Sequence, residues 1–435
     1  MAFAGDGAGR ALAKETLASK IGRKLSALSK DISHLFPSCI YRVPEKRRKA
    51  NEAAYTPRLV SIGPLHRERG QLQGMELYKL RCLQNFLNRF EVNLDSLLGV
   101  PELLERYVRV CYQDTSNLNG DQFLEMILLD GIFTVELFLK NYFPELREEN
   151  DIIFRNRWMW SDLLHDVLLL ENQLPIHVPK GLLDFVDQSL LKGITFYDLA
   201  HKFFKDVCNT EKLPLIEHHG DARHFVEFLL IHHSPMRSCG IRSSLRATKF
   251  EYTRSATELR QAGVKFRAEG SCLFNVVFKN GELVLPSLLV NEWTETFFRN
   301  IIAFEQCGYH SKDITSYVIL MDSLINTPDD VLLLVNHGII KNELGESEVI
   351  AELFNSLYKE VVTETDEFYF AGLCNDLNVY SRDPFHEFKS KSFRWRRMLR
   401  RDYFSNPWSL ISLLAGSVLL ILTVIQAVCS ILQVK

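Results

Sequence analysis

Asp121-Gln122-Phe123-Leu124-Glu125-Met126-Ile127-Leu128-Leu129-Asp130-Gly131-Ile132-Phe133-Thr134-Val135-Glu136-Leu137-Phe138-Leu139-Lys140-Asn141-Tyr142-Phe143 is the stretch that decides the fold class. Apolar side chains fall on nearly every face of the helix it would form, rather than on the single stripe of a surface helix. Such a helix needs other elements packed around it. Glu125, Asp130 and Glu136 make it too acidic, and its length too short, for a membrane crossing. A central buried helix is predicted.

The flanking sequence supplies the surrounding elements. One helix is predicted from about Met75 to Leu98, with Leu83, Phe86, Leu87, Phe90, Leu94 and Leu97 on one face. Another runs from Trp158 to Leu170 and is stopped by Pro175 and Pro179. Later helices are predicted from Glu292 to Cys307, from Asp313 (as N-cap) to Asn326, from Asp329 to Ile340 after Pro328, and from Glu346 to Val362. Pro37, Pro44, Pro57 and Pro64 make the connection from Phe36 to Gly74 extended and irregular. Between about 272 and 290, two apolar runs flank Asn280-Gly281, the pair that supplies the positive φ angles of a tight hairpin turn. Strands and helices do not alternate, so a parallel sheet is not expected. The predicted class is mainly α: one large helical domain over 37–388 with an inserted β-hairpin and a loop-bearing, variable insertion at 205–255.

Two segments lie outside that domain. Over 1–36, a small flexible start leads into an amphipathic helix with Leu17, Ile21, Leu25, Leu28, Ile32 and Leu35 on its stripe. Docking on the body, a partner helix or a membrane surface would each use that face. No apolar run of about 7–15 residues follows Met1, so a secretory signal is not expected, and Ala2 excludes N-myristoylation. At the other end, Trp408 to Val434 is free of charge and rich in leucine, isoleucine and valine. It exceeds the roughly 20 residues that cross a bilayer core, and a C-terminal transmembrane helix over 408–434 is expected. Lys389, Lys391, Arg394, Arg396, Arg397, Arg400 and Arg401 form a basic juxtamembrane segment (389–407) ahead of it. The positive-inside rule then puts the body in the cytosol as a tail-anchored, single-pass protein, with the plasma membrane favoured. The same basic run is either a topology signal alone or also a site for anionic lipid.

Composition and charge exclude other classes. At 46 % hydrophobic and 24 % charged residues, the chain is neither disordered nor collagen-like. Without Lys435 and the seven basic residues of 389–401, 43 basic residues face 53 acidic ones through 387, a net −10. A body that acidic is not expected to bind nucleic acid. The nine cysteines show no paired spacing, as reduced cytosolic thiols would not. No asparagine begins a glycosylation sequon.

The search for chemistry yields little. Gly5-x-Gly7-x-Gly9 has no strand before it and fails the phosphate-binding patterns. His218, His219, His224, His232 and His233 cluster, but with only the isolated Cys208 and Cys239 nearby, and no metal or cofactor is expected. Cys307 has Glu305 two residues away, off its helical face, and reads as structural. The acids set in apolar runs, Asp130, Glu136, Asp162, Asp166, Glu171 and Glu305, suit either acid–base work or acceptance of hydrogen bonds from unpaired backbone donors and from Arg260 and Arg299. The structural role is the expectation for Asp130, Glu171 and Glu305.

Several stretches jointly resemble a known family. They are Cys39-Ile40-Tyr41-Arg42-Val43-Pro44, Ala54 to His66 (AYTPRLVSIGPLH), Met126-Ile127-Leu128-Leu129-Asp130-Gly131, and Asp166 to Pro175 (DVLLLENQLP). Further along stand Ala256 to Val264, Phe298 to Cys307, Ile314 to Val318, and Tyr403 to Trp408. In this order the chain, over about 39–426, is similar to the plant family catalogued as domain of unknown function 247. The resemblance implies a plant protein with one large domain, a C-terminal membrane helix and no established enzymatic activity. Some grass members are implicated in pollen self-incompatibility, which carries over a recognition role as an expectation. Where the family pattern has two aromatic or apolar residues after Glu-Asn-Gln-Leu-Pro, this chain has Ile176-His177. The expected function is a membrane-anchored module, not an enzyme, that binds a protein partner. The alternative is a membrane-associated enzyme using Glu171 and Glu305.

Overall fold

The computed structural model describes residues 19–22, 38–113, 118–208, 222–234, 251–270, 272–307, 311–359, 361, 368–382 and 407–433. The chain divides into two compact units, Met1–His232 with Trp293–Ser311, and His233–Glu292 with Lys312–Lys435.

The first unit is built round the helix Gly120–Tyr142. Asn119 and Gln122 close a capping box at its start, and from Met126 to Lys140 every side chain is buried. Four helices pack on it: Gly74–Phe90, Leu94–Cys111, His177–Leu183 and Phe196–Cys208. Gly131 permits the approach of the third, since a Cβ there would stand 2.5 Å from Leu182 Cδ1 and 3.0 Å from Val178 Cγ1. Rings of Phe138, Phe196, Phe203, Phe204 and Phe225 close the core beside it. The helix expected from Met75 to Leu98 is two helices. Glu91 adopts left-handed φ 51, which ends the first, and Asn93 caps the second.

The second unit is mainly helical as well, with small sheets. Its helices are Ala256–Gln261, Asp313–Leu324, Pro328–Asn336, Ser347–Leu357, Ala371–Arg382 and Pro407–Gln433. The expected hairpin is present: β2 (Val277–Lys279) pairs antiparallel with β3 (Glu282–Leu285), and Asn280 and Gly281 turn at φ 54 and 74. Parallel pairing, which was not expected, also occurs. Strand β1 (Lys265–Ala268) lies parallel to β3, and β4 (Leu288–Val290) lies parallel to β5 (Ile340–Asn342). These strands are three or four residues long, too short for the helix-alternating signature of a large parallel sheet. Asp313 is not an N-cap but lies in its helix's first turn. Thr327 caps the following helix in a capping box with Asp330, and Ile340 belongs to β5 instead.

The expectation of a C-terminal transmembrane helix from Trp408 to Val434 is corrected: among the described residues, no helix is long and apolar enough to cross a membrane. Pro407–Gln433 is a continuous helix whose apolar run is interrupted by Ser412, Ser417, Thr423 and Gln426. The expected tail-anchored arrangement rested on that span and is not supported without it. Val434, the Trp408 side chain and the basic residues Lys389, Lys391, Arg394, Arg396, Arg397, Arg400 and Arg401 lie outside the described residues, as does most of the N-terminal stripe.

Candidate functional site

The polar centre of the first unit forms where the segment 43–66 threads between helices; it was expected to be irregular throughout but holds the short helix Glu45–Ala50 and a 3-10 turn at Glu52–Tyr55. Prolines deny that segment a regular ladder, so its backbone donors need side-chain acceptors. Asp166, at the end of the helix Arg157–Val167, meets three of them: the amides of Arg58 (2.8 Å), Leu59 and Val60 (both 2.7 Å). Its Oδ1 also lies 3.0 Å from His165 Nδ1. Asn172 accepts from the Ile62 amide and donates to the Val60 carbonyl. Asp130 of the central helix accepts from the Gly63 amide at 2.8 Å and from Lys79 Nζ at 2.6 Å, and Lys79 donates in turn to the Ser61 carbonyl. Gln173 donates to the carbonyls of Val167 and Leu169 and accepts from the Phe225 amide. Asn300 accepts from the Leu170 amide and donates to the Ala54 carbonyl.

Glu171 completes the centre. Its Oε1 accepts from the Val43 amide (2.6 Å) and Arg48 Nη2 (2.5 Å), and its Oε2 lies 3.1 Å from His66 Nε2. Burial by itself would raise this carboxyl, but His66, Arg48 and the Val43 amide together hold it below the usual range. Asp130 goes the other way: complete burial outweighs Lys79 and the Gly63 amide and leaves its carboxyl raised. Burial likewise raises Glu136, against Arg89 at 2.6 Å and Lys140. Surroundings thus move Glu171 down and Asp130 and Glu136 up.

The expected acids lie as follows. Asp130, Asp166 and Glu171 converge on the 43–66 segment, and Glu305 is fully buried on the helix Thr294–Cys307. The partners of Asp130, Asp166 and Glu171 are not the expected arginines: Arg260 is exposed, and Arg299 holds Glu295 at 2.7 Å. Asp162 faces Arg58 at 3.4 Å near the surface. Among the histidines, His224 Nε2 bonds the Cys39 carbonyl at 3.0 Å, while His218 and His219 lie outside the described residues. Among the described residues no group of three His, Cys, Asp or Glu side chains is placed to hold a metal.

Two features were missed in the sequence. Lys79 sits in the apolar stripe Met75, Cys82, Phe86 and is fully buried. A lysine on such a stripe demands an acid, and Lys79 meets two, Asp130 on the central helix and Glu76 on its own, each at 2.6 Å. The same helix has a second apolar line on its outer side. Leu77 is 69 % and Leu80 47 % exposed, and with Arg81, Leu83, Gln84, Leu87 and Asn88 they line a shallow groove of about 400 Å³.

Comparison with known proteins places this arrangement. A family model described as plant protein of unknown function, DUF247, matches residues 40–422. The chain is 30 % identical to UPF0481 protein At3g47200 of Arabidopsis thaliana, over 91 % of this chain and 86 % of that protein. It is 25 % identical to the putative UPF0481 protein At3g02645 of the same plant, over 89 % of each. No solved structure matches it.

Proposed function

The chain belongs to the plant family DUF247, and on that premise we propose that it is an interaction module whose first unit binds an amphipathic helix of a partner protein. The observation that carries this reading is the outer line of the helix Gly74–Phe90. Positions 77, 80, 84 and 87 follow the three-and-four spacing of a helix-pairing seam, with leucine at three of them. The opposite face, with Met75, Lys79, Cys82 and Phe86, is already committed to the core. A second helix laid in the groove would cover Leu77 and Leu80, and exposed Arg81 suits an acidic flank on that helix.

The test uses a photo-crosslinking residue in place of Leu80, with Asp184 as an exposed control position. A partner peptide captured at 80 and absent at 184 should have apolar residues at helical spacing. Its affinity for a Leu77→Glu, Leu80→Glu variant should fall at least tenfold, since each leucine contributes about 1.5–3 kcal/mol when buried. Capture of a second copy of this chain, or unchanged affinity, would refute the proposal.

A second reading follows from Glu171 Oε2 and His66 Nε2, which are close but not aligned in a hydrogen bond. A carboxylate and imidazole this close can pass a proton once they align, and acid–base chemistry on Glu171, with Glu305 as a further buried acid, would use that step. An activity lost in Glu171→Gln at unchanged stability would favour this reading over the first.

A further inference from the structure

Away from the carboxylates, the structure brings together two cysteines that are 72 positions apart. The amides of Cys39 and Ile40 both donate to the Cys111 carbonyl at 2.9 Å, and Ile40 pairs with Tyr112 in a parallel bridge. Ser38 Oγ donates to the Val110 carbonyl, so contact runs along the whole junction. The direct amide-to-carbonyl bond between Cys39 and Cys111 sets their Cα atoms about 5–6 Å apart, inside the roughly 4.4–6.8 Å that a disulfide spans. Both thiols are free and buried, and each shifts the proton affinity of the other.

We infer that Cys39 and Cys111 form a peroxide-sensitive thiol pair, with Cys111 as the attacking and Cys39 as the resolving sulfur. The assignment follows from exposure: Cys111 keeps 4 % of its surface in solvent and Cys39 none. Electrostatics run the same way, since Cys39 and Tyr107 hold the Cys111 thiol below its ordinary value despite burial, while Cys111 and burial push the Cys39 thiol up. Arg223 lowers both thiols and its ion-pair partner Glu227 opposes it.

The chemistry balances with hydrogen peroxide as the oxidant. The Cys111 thiolate attacks one peroxide oxygen. The O–O bond breaks, hydroxide leaves and takes a proton to become water, and Cys111 becomes a sulfenic acid. The Cys39 sulfur then attacks that sulfur: an S–S bond forms, the S–O bond breaks, and the oxygen leaves as water with the Cys39 proton. The two sulfurs together lose two electrons and the peroxide gains them. Access runs past one side chain. Tyr107, one turn before Cys111 on the same helix, is half-buried and carries its hydroxyl 3.5 Å from Nδ1 of exposed His177.

The test oxidises the full-length reduced protein with graded hydrogen peroxide, quenches in acid, alkylates under denaturing conditions and maps cysteine peptides by mass spectrometry. A peptide linking Cys39 to Cys111, lighter by two hydrogens and reversed by dithiothreitol, should accumulate while buried Cys82 and Cys374 stay reduced. In Cys39→Ser, dimedone should label Cys111; in Cys111→Ser, position 39 should stay unlabelled. Tyr107→Ala should form the link at least tenfold faster than Tyr107→Phe, which loses the same hydroxyl but keeps the covering ring. Recovery of Cys39 and Cys111 as free thiols while exposed Cys272 is oxidised would overturn the inference, as would linkage of either to another cysteine. Equal rates in Tyr107→Ala and Tyr107→Phe would overturn the access route.

Discussion

Replacing Asp166 tests whether one carboxylate holds the 43–66 segment in place. In Asp166→Ala the amides of Arg58, Leu59 and Val60 lose their acceptor together. Arg58 is exposed and its amide can turn to water, whereas Val60 is buried and Leu59 half-buried. Two charge-assisted bonds at about 1.5–3 kcal/mol each are then lost without replacement, roughly 3–6 kcal/mol. Against a typical domain stability of about 5–15 kcal/mol, that is a large share. Asp166→Asn keeps one acceptor oxygen but turns an NH₂ group toward a donor, and should lose about half as much. Hydrogen exchange reads the effect locally, so the comparison does not depend on two-state unfolding of both units. Peptides covering 58–60 should exchange about 100-fold faster or more in Asp166→Ala, at about 1.4 kcal/mol per tenfold. Asp166→Asn should fall between the variant and the wild type. Exchange at 58–60 unchanged in Asp166→Ala, in a protein that remains folded, would refute the account of how this segment is held.

Gly131→Ala should destabilise the first unit by about 1–3 kcal/mol, because the new methyl meets Leu182 and Val178 at overpacked distances; chemical denaturation measures it, and a second change, Leu182→Ala, should restore part of the loss. The pH dependence of Glu171 has a definite sign. Its folded carboxyl is held below the usual range, so its contribution is present above the ordinary glutamate value of about 4.3 and is lost as pH falls through the lower folded value. Wild type should therefore exceed Glu171→Gln in stability at pH 7, and the gap should narrow between about pH 5 and pH 3; a gap that widens on acidification would contradict the charge-assisted role.

Sequence alone determined the local features. The apolar run from Asp121 to Phe143 leaves no polar face to solvate, so it had to be a buried helix. Asn280-Gly281 meets the turn's demand for positive φ with no other part of the chain involved. The prolines of 36–74 likewise declare an irregular path. What the tertiary structure decided is where that path's donors end. Val43 meets Glu171 across 128 positions and Gly63 meets Asp130 across 67, and nothing in either neighbourhood distinguishes those carboxylates from Glu305 as the acceptor. The parallel pairs β1–β3 and β4–β5, the Cys39–Cys111 contact and the division into two units, each of two chain segments, are of the same kind. Periodicity and turn chemistry are set by neighbours within a few residues and can be read one element at a time. A long-range partner is selected by competition among many similar groups, and only the packed chain resolves it.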